Sequence, residues 1–375
     1  MAILIIRSAS GESSPLDLPL VQESDNIFTR LGEFDYGGDD DFANGGGGMC
    51  VGNGGLYMAG LRTEANIGRI SIPALGGSAT TQLSPVALTG GTWASQEIVS
   101  GSLFYGGELY VNRSVDYDAH ETIRQIEWIQ KATAEMGSQT APCTMNASNG
   151  AYVRRLSGPM GHVPAIWQAL LGGPAFTSGG RLSINRRAQM GYGFGTFDPA
   201  DVTSGGAVSV NVLLDYDDTN PLEPDSAMPE YAAWPKNASG GTDLYSESNA
   251  DLGCALIPKG SRSLLFLTCH GFGVADNGCR PGSSVHNDPN RIQVVAYDLA
   301  EILDAVNTYD PQPYAWWELA DWDVPWGACV GAAGAGSAPG NFCYDPDNDR
   351  LYSLADGSGG FPSYSPIQVW SVGSL

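Results

Sequence analysis

The chain has 375 residues, of which 42% are hydrophobic and only 16% charged, with 50 glycines and 23 prolines. That length suits two average domains or one large all-β unit, and the composition excludes a disordered or coiled-coil protein and favours turn-rich β structure. Eighteen basic against 41 acidic residues leave a formal net charge of −23, which repels phosphate backbones and anionic membrane surfaces, so neither nucleic acid nor membrane is an expected partner.

In chain order, the start MAILIIRSASGESSPLDLPL has a short apolar run broken by Arg7, less than the core of a signal peptide and far less than a membrane span. Neither export signal nor transmembrane helix is expected. The next features are four hairpins: GGGMCVGNGGLYMAGL (46–61), GSLFYGGELYVNRSV (101–115), CALIPKGSRSLLFLTCHGFG (254–273) and FCYDPDNDRLYSLADG (342–357). Each places a Gly, Asn or Asp turn between two apolar strands. Further strands follow at IGRISIP (67–73), GYGFGTFDPADV (191–202), IQVVAYDLAEIL (292–303) and IQVWSV (367–372).

Two hairpin strands plus outer strands make a four-stranded blade, and a ring of blades leaves no free sheet edge. The fold class expected is therefore all-β, a β-propeller of about five blades, with six or seven accepted, as one domain over 1–375. The copies start roughly 55 to 90 residues apart with one long gap, more than the about 40–50 of compact repeats, so long loops are implied. VPAIWQALLGG (163–173) has helical spacing and reads as a short helix inserted between strands, whereas HETIRQIEWIQKATAEM (120–136) fits helix or strand. The first ~40 residues form an arm whose strand NIFTRLGEF (26–34) would pair with the last blade. The seven cysteines include no C-x-x-C pair, so buried thiols are expected in place of a disulfide framework or zinc ribbon.

The stretches GPMGHVPAIWQALLGGPAF, LSINRR, GFGTFDPADV, IPKGSRSLLFLTCHGFG, IQVVAYDLAEIL and YDPDNDRLYSL with IQVWSV cover most of 98–375. In them the chain resembles a family of uncharacterised bacterial-type β-propeller proteins. The resemblance implies the propeller fold and no established activity. Its start, in which no signal peptide is expected, would set it apart from those relatives and put secretion in doubt.

No G-x-S-x-G, H-E-x-x-H or G-x-x-x-x-G-K-[ST] occurs. Of the four histidines, His120, His162, His270 and His286, His270 ends an apolar strand where a propeller would deliver it to the rim or channel. A backbone-bonded strand-end histidine is the plainer reading. Cys269 cannot easily pair with it, since strand neighbours point to opposite faces. If the protein is an enzyme, His270, His162 and Tyr192 are the catalytic candidates. Arg154, Arg155, Arg186 and Arg187 would suit uronate or sulfate groups, against the blander reading of surface ion pairs. Trp316 and Trp317, in YAWWELADWDVPW, would form a sugar or protein platform or else fill space between blades. Asp345, Asp347 and Asp349 alternate like calcium ligands, but Arg350 stands at the loop's glycine position, so a turn is the first reading. No cofactor is expected, Ca2+ aside.

Two functions from different classes follow. The first is a non-catalytic structural or adhesion module of a bacteriophage virion, located on the particle or extracellularly, binding other virion or surface proteins or a host glycan. The alternative is a polysaccharide-active lyase or hydrolase on acidic glycans.

Overall fold

A computed structural model describes residues 14–36, 48–60, 65–90, 97–115, 128–147, 156–179, 191–216, 220, 222, 250–271, 290–319, 338–356 and 366–375. Among the described residues the strands build five four-stranded antiparallel units. Blade 1 holds β2 (Met49–Gly52), β3 (Gly55–Ala59), β4 (Asn66–Ser71) and β5 (Thr81–Ala87). Blade 2 holds β6 (Glu97–Tyr105), β7 (Glu108–Val115), β8 (Trp128–Thr133) and β9 (Cys143–Ala147). In blade 3 these are β10 (Met160–His162), β11 (Ala175–Ser178), β12 (Phe194–Phe197) and β13 (Ala207–Leu214), and in blade 4 β14 (Ala250–Leu256), β15 (Ser263–Gly271), β16 (Asn290–Asp298) and β17 (Ala315–Glu318). Blade 5 combines β18 (Ala338–Asp345), β19 (Arg350–Asp356) and β20 (Ile367–Val372) with the early strand β1 (Phe28–Phe34), which pairs antiparallel with β20.

The first strand of each blade touches the first strand of the next, from β2 through β6, β10, β14 and β18 back to β2. The blades therefore stand around one axis as a five-bladed β-propeller. Upstream of β1 the arm crosses blade 4: the Val21 amide donates to the Ser263 hydroxyl at 2.9 Å, Tyr314 Oη to the Val21 carbonyl at 2.8 Å, and Arg262 to the Leu16 carbonyl at 2.9 Å. Blades 2 and 3 are also joined at their outer edges, where β13 runs parallel to β9 with Ala207 beside Thr144 and Val210 beside Ala147.

Continuous apolar strands such as SLLFL follow from this arrangement, because each sheet has two buried faces. In β15, Leu264 and Phe266 enter the core between blades 3 and 4, while Leu265 and Leu267 enter the core between blades 4 and 5. Packing near the axis is close. A Cβ on Gly52 would lie 2.1 Å from the Phe104 ring and one on Gly253 would lie 2.3 Å from the Phe342 ring. In both, an aromatic of one first strand covers a glycine of its neighbour, and only glycine admits that approach.

The four hairpins read from the sequence are the first two strands of blades 1, 2, 4 and 5. The fifth escaped because no tight turn joins β10 to β11. Helix α1 (Ala165–Leu171) stands between them and ends on Gly172 at φ 87°. Its Trp167 and Leu171, one turn apart, enter the core between blades 3 and 4, and Trp167 Nε1 donates to the Ser261 carbonyl at 3.2 Å. A second helix, α2 (Leu299–Asp304), follows β16 and is capped by Asp298, whose carboxylate accepts the Ala300 amide. Asp198 accepts the Ala200 amide in the same way after β12, which is the physical content of the related runs FDPAD and YDLAE. The ambiguous segment 120–136 contains β8 from Trp128, and residues 120–127 lie outside the described residues.

Candidate functional site

The segments leading out of the first strands sit at one end of the ring, and two of them meet there: Lys259 of the blade 4 turn forms an ion pair with Asp349 of the blade 5 turn at 3.0 Å. Around this mouth, the last residues of three first strands gather from three blades: Tyr105 from β6, His162 from β10 and Asp345 from β18.

The Tyr105 and His162 rings lie 5.7 Å apart between centroids, tilted by 32°. Burial lowers the His162 pKa from its ordinary value, opposed in turn by the carboxylate of Asp347, the backbone carbonyl of Phe104 and the carboxylate of Asp345. The imidazole is therefore neutral at physiological pH. A neutral imidazole keeps one ring nitrogen as an acceptor, the state a general base requires.

The opposing turn is internally fastened. Asp345, 4% exposed, accepts the Asp347 amide at 3.0 Å, the Asn348 amide at 3.4 Å and Asn348 Nδ2 at 2.7 Å. Asp349 adopts the left-handed region at φ 50° and accepts Tyr344 Oη at 2.8 Å. Burial and then the Asp349 carboxylate drive the Tyr344 phenol far above its ordinary range, so it remains a donor. Asp347 is exposed, and the Asp349 carboxylate, paired with Lys259, is 39% exposed. The alternating aspartates are thus first of all a turn, and among the described residues no group of three or more His, Cys, Asp or Glu is placed to hold a metal ion.

The other expected residues fall in different places. Tyr192 is 2% exposed in the core between blades 3 and 4, with its ring 5.0 Å from Phe266, and burial raises its pKa far out of the neutral range. It is packing, not a proton donor at a mouth. Trp316 and Trp317 occupy opposite faces of β17 and pack into the two cores flanking blade 4, so they fill space between blades in place of forming a platform. His270 lies on β15 with its backbone opposite Ala250 and Arg291, and its side chain is outside the described residues. Outside them too are Arg154, Arg155, Arg186, Arg187, His120 and His286.

Tyr105 and Asn348 were not singled out by the sequence reading. Their signal was available: Tyr105, His162 and Asp345 are equivalent positions of the repeat, each closing a first strand. Four described cysteines, Cys50, Cys143, Cys254 and Cys343, are buried free thiols. Among the described residues no helix is long and apolar enough to cross a membrane.

No protein-family model and no curated protein matches the chain. Solved structures do. It is similar to a GH43 β-xylosidase/α-arabinofuranosidase from a compost microbial metagenome, crystallised with xylotriose (10% identity, 91% of this chain and 94% of that one, TM-score 0.48). It is similar also to an α-L-arabinofuranosidase from Lactobacillus brevis (9% identity, 89% and 92%, TM-score 0.46). A third is the PQQ domain of a pyranose dehydrogenase from Coprinopsis cinerea (11% identity, 95% and 97%, TM-score 0.39). The matched chains are named as enzymes, two of them glycosidases, so the expectation of a non-catalytic virion module finds no support among them and is withdrawn. At such identities no residue role passes from them to this chain. The five-bladed β-propeller of this chain stands on its own strand pairing.

Proposed function

We propose that the protein is a polysaccharide-active enzyme that cleaves glycosidic linkages at the mouth of its ring, with His162 as the proton-transferring group. One observation carries the reading: His162, Tyr105 and the Asp345–Asp347 turn come together from three different blades. A neutral imidazole takes a proton, from the water whose oxygen bonds to the anomeric carbon in hydrolysis or from the carbon at which a double bond forms in elimination, and returns it to the glycosidic oxygen as the C–O bond breaks. Asp347 then faces the imidazolium so formed and favours it electrostatically. Tyr105 supplies an aromatic face beside it, of the kind against which sugar rings stack. The arginine pairs that would hold an acidic sugar lie outside the described residues, so the proposal takes glycans as a class and leaves the charge of the sugar open.

The test is incubation with arabinan, xylan and galactan beside uronate-rich and sulfated glycans, following new reducing ends and unsaturated products. Cleavage of at least one is expected, with His162→Gln slower by about a hundredfold or more, the usual range for removing an acid–base group. Activity of the His162→Gln variant equal to the parent's, or no product from any glycan, would overturn the reading.

A further inference from the structure

We propose that the third strands of blades 4 and 5 each bind ordered water inside the ring through a buried glutamine, Gln293 in the seam between blades 3 and 4 and Gln368 in the seam between blades 4 and 5. Both follow a buried isoleucine, in the runs Ile292–Gln293 and Ile367–Gln368, and blade 2 repeats the pattern as Ile129–Gln130. The three glutamines hold equivalent positions. Each stands beside the fourth strand pair counted from its hairpin turn: Ser102–Val111 for Gln130, Leu252–Thr268 for Gln293 and Phe342–Ser353 for Gln368. None is more than 4% exposed.

Strand alternation sets which way they face. Gln293 lies two residues from Val295, and Thr268 opposite it lies two residues from Phe266; Val295 and Phe266 belong to the core between blades 3 and 4. Gln368 and Ser353 oppose each other two residues from Trp370 and Leu351, which belong to the core between blades 4 and 5. The partners differ between blades. Gln130 is met by protein, since its Oε1 accepts Arg113 Nη1 at 2.6 Å and its Nε2 donates to the Thr140 carbonyl at 2.7 Å. Gln293, with no exposed surface, has no protein partner on either Nε2 or Oε1, and Gln368 Oε1 and Ser353 Oγ have none. A buried polar group without a partner has given up its hydration for nothing, so protein interiors meet such groups with protein or with bound water. Opposed side chains start about 4.5–5.5 Å apart at Cβ, and one water with bonds of about 2.8 Å spans groups that do not reach each other directly. Between Gln368 and Ser353 it donates to Oε1 and bonds the hydroxyl. At Gln293 water accepts from Nε2 and donates to Oε1.

The experiment reads water contact in the intact protein by nuclear magnetic resonance, as magnetisation transfer from the water signal to the side-chain amide protons of isotope-labelled glutamine. Gln130→Met, Gln293→Met and Gln368→Met each remove one pair of signals and so assign them. Transfer from long-lived water is expected at Gln293 and Gln368 and not at Gln130. Its absence at Gln293 and Gln368 would overturn the proposal, and so would equal transfer at all three. Urea denaturation gives a second reading. Methionine keeps the length of the side chain without its amide, so Gln293→Met should leave the unfolding midpoint unchanged or lower it, because the amide it replaces is already satisfied by water. A raised midpoint would mark a dry amide and overturn the proposal.

Discussion

Tyr105 and His162 end the first strands of adjacent blades and meet ring to ring at 5.7 Å. Contact between equivalent positions of neighbouring repeats places a titratable ring at the mouth of the propeller in partly buried surroundings. Its neutral form is favoured on folding, because burial outweighs the pull of Asp347, the Phe104 carbonyl and Asp345. The unfolded chain therefore takes up a proton at this site more readily than the folded one does. The contribution to stability is complete above the ordinary histidine value of about 6.5 and is lost as pH falls through the lower folded midpoint. Chemical denaturation at a series of pH values should show a decline in that window that His162→Gln diminishes. A decline of the same size in the variant would assign it to other groups.

Closure of the ring by β1 makes a second expectation. Trp370 on β20 is fully buried, and β20 lies between β19 and β1. Trp370→Ala should cost about 3–5 kcal/mol, as large aromatic truncations in cores do. Removing residues 1–35 should expose the edge of β20 and give oligomers or aggregates in light scattering. A monomeric, cooperatively melting truncation would show that the ring closes without β1.

The glycine at the blade 4–blade 5 seam is open to a double-mutant test. Gly253→Ala drives a Cβ to 2.3 Å from the Phe342 ring and should destabilise by about 1–3 kcal/mol through overpacking. Combined with Phe342→Leu, the two losses should add to less than their sum, measured by urea denaturation. Strict additivity would mean that the two residues do not meet.

Three thiols close to the axis should be inert. Burial pushes Cys50 and Cys254 up to about 12, and Cys343, with Cys50 and Cys254 as neighbours, goes well above the ordinary thiol value. Alkylation of the native protein followed by peptide mapping should leave Cys50, Cys254 and Cys343 unmodified until denaturant is added. Modification of any of them in native buffer would reveal an opening of the inner strands.

Much of the fold was legible in the sequence because tight turns have a chemistry of their own. Asn53–Gly54 and Gly106–Gly107 all adopt positive φ, and their residue types announce it. The β10–β11 pair was hidden because a helix replaces that turn, and strands of three and four residues carry too little periodicity to be seen without it. The site was harder to read. His162 stood among the candidates, but Tyr105 and the Asp345 turn join it only through the closing of the ring, which brings residues 105, 162 and 345 together from separate repeats. Tyr192 proved to be core, and the two tryptophans took the blade-filling of their two readings; aromatic residues serve blade seams and sugar platforms alike, and only exposure separates the two uses.

The parallel ladder between β9 and β13 has a mechanical consequence. Among the described residues it is the one continuous ladder between named strands of two blades, whereas single backbone bonds cross elsewhere, Asp35 with Gly77 and Ala79 between blades 5 and 1 and Asp215 with Thr308 between blades 3 and 4. The other seams rest on side-chain packing and such scattered bonds, so they should part before this one when the ring breathes. Blades 2 and 3, joined by a ladder, should move together as one arc. Tyr105 and His162 both stand on that arc, while Asp347 stands on blade 5, so breathing of the ring would vary the gap between the two sides of the mouth and leave the ring pair itself intact.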